Sequence, residues 1–128
     1  MSPLKAMNVL IVEDEFLIAM DLADMLRRLG AANVRTEFSV ADALAALHGE
    51  RPPDCATLDF RLGATTAAPV ADMLLARRIP FIFVTGYDDL ALMPKRFHAL
   101  PMAHKPMNMA DIVRAFERAL SADAAEES

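Results

Sequence analysis

The chain has one cysteine, one tyrosine, no tryptophan and only four glycines in 128 residues. A lone Cys55, set in an apolar run, excludes a disulfide framework and a cysteine-rich metal site, and a reducing, cytoplasmic setting is expected. No Lys/Arg run exists to neutralise a phosphate backbone, and 18 acidic against 13 basic residues give a net charge of −5, so nucleic acid is not an expected partner. The apolar stretches fall far short of membrane-spanning length, and residues 1–7 carry one Lys and no long apolar segment, so no export or membrane signal is visible. What is abundant is apolar side chain: at 55% of residues it is enough for one real core. The expected organisation is one domain over 1–121 and an acidic, aromatic-free flexible tail over 122–128.

Along the chain, strand and helix patterns alternate. Asn8-Val-Leu-Ile-Val12 is short and β-branched, as suits a strand covered on both faces. Ile18, Leu22, Met25, Leu26 and Leu29 recur at helical spacing, and Gly30 follows as a left-handed stop. Asn33 to Phe38 reads as a weaker second strand, after which Ser39 and Asp42 start a helix that Gly49 and Pro52-Pro53 end. Cys55 to Leu58 is a third strand. A Gly-, Thr- and Ala-rich loop then leads to Pro69, well suited to the first turn of a helix carrying Val70, Met73 and Leu74. Phe81 to Val84 is a fourth strand, stopped by Thr85-Gly86. Pro94 permits at most a kinked or short helix between Asp89 and Phe97. Leu100 to His104 makes a fifth strand that Pro101 assigns to an edge, and Asn108 with Asp111 caps a last helix carrying Ile112, Val113, Phe116 and Leu120. Five alternations of strand and helix predict a parallel sheet with helices on both faces.

In such a sheet, ligands bind at the carboxyl ends of the strands. Three charged clusters directly follow strands: Glu13-Asp14, Asp59 and Lys105-Pro106. Three carboxylates and one ammonium at one edge suit a hard divalent cation and a phosphoryl group. A carboxylate can attack phosphorus to form an acyl phosphate, and Asp59 is the candidate. Attacker and phosphoryl group are both negative, so the step needs cations between and opposite them. Asp14 and Asp59 are assigned to direct Mg²⁺ binding, Glu13 to a water-mediated role, and the Arg61 backbone carbonyl to completing the protein ligands. Lys105 supplies the second cation. The Thr85 hydroxyl is placed to hydrogen-bond a phosphoryl oxygen, and Gly86 allows close backbone approach.

Taken together, Val9-Leu-Ile-Val-Glu-Asp14, Leu58-Asp59, Val84-Thr85-Gly86 and Lys105-Pro106 resemble the response-regulator receiver domains, over essentially the whole chain. The resemblance implies a flavodoxin-like (βα)₅ three-layer sandwich with a parallel five-stranded sheet of order 2-1-3-4-5. It also implies Mg²⁺-dependent phosphoryl transfer to Asp59 from a histidine kinase or histidine phosphotransfer protein, and a cis bond before Pro106. Most receivers carry an aromatic residue three positions before the lysine, where this chain has Met102. Its Phe83-Val-Thr-Gly-Tyr87 segment is similar to the single-domain subgroup named for a Phe-Ala-Thr-Gly motif, as are Gly63 and Pro69-Val-Ala71. Tyr87 is then a candidate for the displaced switch aromatic, and Arg61 and Tyr87 are expected to slow hydrolysis of the phosphoryl group by restricting in-line water.

Each cluster alone has a plainer reading. Acids after a strand are commonly helix N-terminal charges, a lone lysine is commonly a solvated one, and Thr-Gly is ordinary turn chemistry. His48, His98 and His104 lack metal-ligand spacing. The nine methionines are mostly core filler, with Met102, Met107 and Met109 also suited to partner contact. An aspartyl-phosphate phosphatase shares the nucleophile logic, but Asp59-Phe60-Arg61 lacks a second acid as proton donor. Remaining alternatives are a phosphorylation-independent interaction module and a receiver fragment of a larger hybrid protein. The expected output is a downstream protein target, with a homodimer through the Pro94 region and fifth strand left open.

Overall fold

The computed structural model describes residues 2–127, with side chains through Ser121, so the tail expected over 122–128 lies outside the residues whose side chains are described. In chain order the elements are β1 (Asn8–Val12), α1 (Phe16–Arg28), β2 (Asn33–Glu37), α2 (Val40–His48), β3 (Cys55–Leu58), β4 (Arg61–Leu62), β5 (Thr65–Thr66), α3 (Ala68–Ala76), β6 (Phe81–Thr85), α4 (Tyr87–Leu90), β7 (Met102–His104) and α5 (Met109–Glu127). Five strands form one parallel sheet in the order β2-β1-β3-β6-β7. By position this is the order 2-1-3-4-5 implied by the resemblance, since β4 and β5 form a separate two-stranded hairpin.

Alternation along the strands divides the core into two layers. Leu10, Val12, Leu58, Phe81 and Phe83 pack on one face with Leu47 of α2 and Leu74 of α3. Val9, Ile11, Cys55, Ile82 and Val84 pack on the other with Leu22 and Leu26 of α1 and Ile112 and Phe116 of α5. Cys55 is fully buried, and burial pushes its thiol up to about 12, so it behaves as a small core hydrophobe.

Local signals place most boundaries. Gly30 closes α1 with φ +102, a region an L side chain rarely adopts, and a Cβ there would lie 3.1 Å from the Lys5 Cα. The Ser39 hydroxyl accepts the Asp42 N–H at 3.1 Å, and Asn108 Oδ1 accepts the Asp111 N–H at 2.9 Å, as the capping patterns predict. Pro94 confines the helical structure before it to one short α4, and a 3-10 turn at Lys95–Phe97 follows. The segment is pinned by Phe97, fully buried and 5.7 Å from the Phe83 ring. The hairpin was not expected from the sequence: strand pattern in two residues is too short to read, and the Gly63-Ala64 turn makes it visible only once folded.

Candidate functional site

Parallel pairing aligns β1, β3, β6 and β7, so their C-terminal ends converge at one edge. Glu13 and Asp14 leave β1, Asp59 leaves β3, Thr85 ends β6 and Lys105 leaves β7. One carboxylate oxygen from each of Glu13, Asp14 and Asp59 lies within 4.8 Å of the others, an all-oxygen donor set of the kind a hard cation takes.

Lys105 is the hub. Its Nζ stands 2.8 Å from Asp59 Oδ2 and 2.8 Å from Glu13 Oε1. Asp59 is 4% exposed and Glu13 1%, so one ammonium serves two buried carboxylates. The Arg61 N–H donates to Asp59 Oδ1 at 3.2 Å and the Glu15 N–H to Glu13 Oε2 at 3.0 Å. Both oxygens of Glu13 are therefore engaged within the protein. The acidic cluster faces both ways: Glu13 reaches the start of α1 with one oxygen and Lys105 with the other. Asp14 is exposed, and its Oδ2 accepts the Gly63 N–H at 2.9 Å. The hairpin thus buttresses the site, and Gly63, at φ +62, sits in its turn.

Thr85 is fully buried, and its Oγ1 has no hydrogen-bond partner among the described residues. A hydroxyl left so at a charged edge is an acceptor-seeking donor. The Lys105–Pro106 peptide is cis. Arg61 turns its guanidinium to Asp89, 3.3 Å away, a partner the sequence reading missed. Tyr87 is 70% exposed and stacks on His104, with ring centroids 4.1 Å apart and an interplanar angle of 11°. His48 contacts Arg77, and His98 lies 2.8 Å from the Met93 carbonyl, so both take structural bonds.

Burial pushes Glu13 up to about 7, against the lowering pull of Lys105 and the Glu15 N–H, and it raises Asp59 in the same way. Burial pulls the Lys105 ammonium down, but its hydrogen bonds to Asp59 and Glu13 outweigh this and leave it above the ordinary lysine value. Between its unfolded value of 4.5 and about 7, Glu13 in the folded protein holds a proton that the unfolded chain has released, and Asp59 is shifted in the same direction. These acids therefore favour folding less as pH rises through that window, whereas the Lys105 contribution is lost only above its unfolded value of 10.5. In metal-free buffer the unfolding free energy is expected to fall from pH 5.5 to pH 8, and Glu13→Gln is expected to recover on the order of 1–3 kcal/mol at pH 8. Urea unfolding at the two pH values checks this; an unchanged or steeper slope in the variant contradicts it.

The sequence matches the response regulator receiver domain model over residues 9–117. It is 35% identical over 119 residues to the transcriptional regulatory protein PdtaR of Mycobacterium tuberculosis, covering 89% of this chain and 57% of that protein. It is 29% identical over 117 residues to the phyllosphere-induced regulator PhyR of Methylorubrum extorquens, covering 90% and 44%. The chain thus spans about half the length of these curated relatives. Among solved structures, SdrG from Sphingomonas melonis Fr1 superposes with a TM-score of 0.78 at 43% identity, over 94% of this chain and 99% of that one. The PhyR receiver domain of Erythrobacter litoralis gives 0.77 at 30% identity, over 91% of each chain.

Proposed function

This chain belongs to the response regulator receiver family, and from that premise we propose that Asp59 accepts a phosphoryl group from a histidine kinase or histidine phosphotransfer protein and that output passes to a downstream protein by contact. The observation that carries this reading is the buried Asp59 carboxylate, held 2.8 Å from Lys105 and within 4.8 Å of two further carboxylates. Structural need alone does not account for that arrangement, since buried like charges sharing one cation cost stability.

An Asp59 oxygen attacks phosphorus in line, the bond from phosphorus to the donor imidazole nitrogen breaks, and its electron pair stays on that nitrogen. Glu13, Asp14 and Asp59 fit Mg²⁺, which would supply positive charge against the crowding of anionic oxygens, and the Arg61 carbonyl is proposed to complete the protein ligands. With both its oxygens already bonded, Glu13 suits the water-mediated role and Asp14 the direct one. Lys105 neutralises the transferred group from the opposite side. Thr85 supplies its unpartnered hydroxyl to a phosphoryl oxygen, and Gly86 leaves room for that approach. The cis peptide before Pro106 belongs to the turn that carries Lys105 to the edge.

The decisive experiment is incubation with Mg²⁺ and acetyl phosphate followed by intact mass measurement. A single phosphoryl adduct is expected, and its absence sinks the proposal.

Docking of the histidine donor is assigned to the apolar start of α1. Phe16, Leu17 and Met20 are 61%, 75% and 53% exposed, and they lie in the first two turns of α1, which begins two residues after Asp14. Large apolar groups beside a charged site mark a contact surface. Leu17→Arg is expected to slow phosphotransfer from the protein donor by roughly tenfold, as loss of one interface anchor does. Labelling by acetyl phosphate needs no docking and should be unchanged; equal loss with both donors contradicts the assignment.

A further inference from the structure

The sheet has two open edges, β2 and β7. β7 is three residues long and follows Pro101, whereas β2 runs for five residues without proline, in unbroken register with β1. Successive residues of a strand turn their backbone groups to alternate sides. The Asn33 N–H donates to the Met7 carbonyl at 3.4 Å and the Glu37 carbonyl accepts the Glu13 N–H at 3.1 Å, so Asn33, Arg35 and Glu37 address β1. Val34 and Thr36 therefore turn their donors and acceptors outward, where no strand pairs with them among the described residues. Side chains alternate as well. Arg35 and Glu37 share one face and are ion-paired at 2.9 Å. Val34 and Thr36 share the other, and Phe38 continues that row, 43% exposed and stacked on Phe16 with ring centroids 6.2 Å apart. Thr36, Phe38, Phe16 and Met20 border a cleft of about 310 Å³ beside this edge.

We propose that β2 pairs antiparallel with β2 of a second copy of this chain, about a two-fold axis at Thr36, so that the two sheets join into one. In that register the edge is self-complementary. Arg35 falls opposite the partner's Glu37, and Glu37 opposite the partner's Arg35. Nearest charges then alternate in sign both along and across the strands, and the guanidinium donors and carboxylate lone pairs are numerous enough to serve both neighbours. Thr36 meets Thr36, a favourable cross-strand pair, and Val34 meets the partner's Phe38, a β-branched side chain on an aromatic ring. An axis one residue earlier sets Arg35 on Arg35, and one residue later sets Glu37 on Glu37; both place like charges directly opposite. Charged side chains on an edge strand commonly discourage pairing. Here two opposite charges two residues apart select a copy of the same edge instead. Leu17, the anchor assigned to the histidine donor, does not line the cleft beside β2. The pairing is independent of the phosphoacceptor reading of Asp59.

Sedimentation velocity of the full chain over a concentration series, without Mg²⁺ or a phosphoryl donor, reads the association. A monomer–dimer equilibrium is expected for the wild type. Thr36→Pro removes the outward N–H on the axis, and an edge strand accommodates proline where its N–H faces solvent, so this variant should fold and stay monomeric. Arg35→Glu and Glu37→Arg each set like charges opposite at two places and should weaken dimerisation roughly tenfold. The double variant Arg35→Glu/Glu37→Arg should restore it. On oxidation, Thr36→Cys should cross-link to its own copy and Arg35→Cys should not, because only the residue on the axis meets itself; Cys55 is fully buried and takes no part. A monomer at every concentration, a dimer that persists in folded Thr36→Pro, or cross-linking through Arg35→Cys in place of Thr36→Cys overturns the inference. If circular dichroism shows that Thr36→Pro fails to fold, the charge reversals decide: single reversals without effect, or a double reversal that does not restore the dimer, overturn it.

Discussion

Asp59→Asn is expected to abolish the phosphoryl adduct while the protein stays folded. The loss is expected to be complete because no neighbouring acid can take over the attack. Asp59 is the carboxylate that Lys105 and the Arg61 N–H hold from two sides, at 2.8 Å and 3.2 Å. Glu13 has both oxygens bonded within the protein, and Asp14 stands exposed with one oxygen on the Gly63 N–H. An amide keeps the shape of the side chain but is a far poorer nucleophile toward phosphorus. Asp59 is raised chiefly by burial, and its charge raises Glu13, so a neutral side chain there is expected to leave the variant at least as stable as wild type in metal-free buffer at pH 8. Intact mass after acetyl phosphate treatment and a urea midpoint measure both effects. An adduct that persists in Asp59→Asn moves the acceptor elsewhere. If Arg61 and Tyr87 restrict in-line water as proposed from the sequence, the adduct in wild type is expected to outlast removal of acetyl phosphate.

Lys105→Met carries the second large effect. Removing one preorganised charge from the transition state of an anionic transfer typically costs on the order of 10²–10³ in rate, and phosphorylation by acetyl phosphate should slow by about that factor. Stability should fall with it, since the ammonium is the cation shared by Asp59 and Glu13. Breaking a buried pair by removing one partner costs about 3–5 kcal/mol, and the loss is expected to approach that at pH 8. At pH 5.5 Glu13, raised to about 7, takes up a proton, and the loss should shrink. Time courses of adduct formation and urea unfolding at the two pH values test this. An undiminished rate removes Lys105 from the chemistry; a pH-independent stability loss removes it from the charge balance.

These two variants push stability in opposite directions for one reason. The edge holds more buried negative charge than its single lysine can offset, an arrangement suited to binding a cation and an anionic group in turn. The same reasoning places Glu13→Gln on the stabilising side.

Much of this was readable before any coordinates. Val9 to Val12, Cys55 to Leu58 and Phe81 to Val84 are dense apolar runs, and burial on both faces of a parallel strand demands that composition. Residues that follow such strands must lie at one edge, so Glu13, Asp14, Asp59, Thr85 and Lys105 could be grouped from order alone. Pro94 and Pro101 announced a broken helix and an edge strand because each removes a backbone donor. The hairpin at Arg61–Leu62 and Thr65–Thr66 was not readable, because two-residue strands carry no period.

What the sequence determined by itself was the order of elements, the two-faced core and the identity of the charged residues at the sheet edge, all of which follow from local periodicity and chain connectivity. Tertiary structure alone decided how those residues divide their bonds. Lys105 meets an Asp59 46 positions away, and the Gly63 N–H meets an Asp14 49 positions away. The Tyr87 ring lies on His104 rather than over the acids' lysine or in the core. Such contacts depend on distances and burial between side chains remote in sequence, and no spacing rule along a chain encodes them.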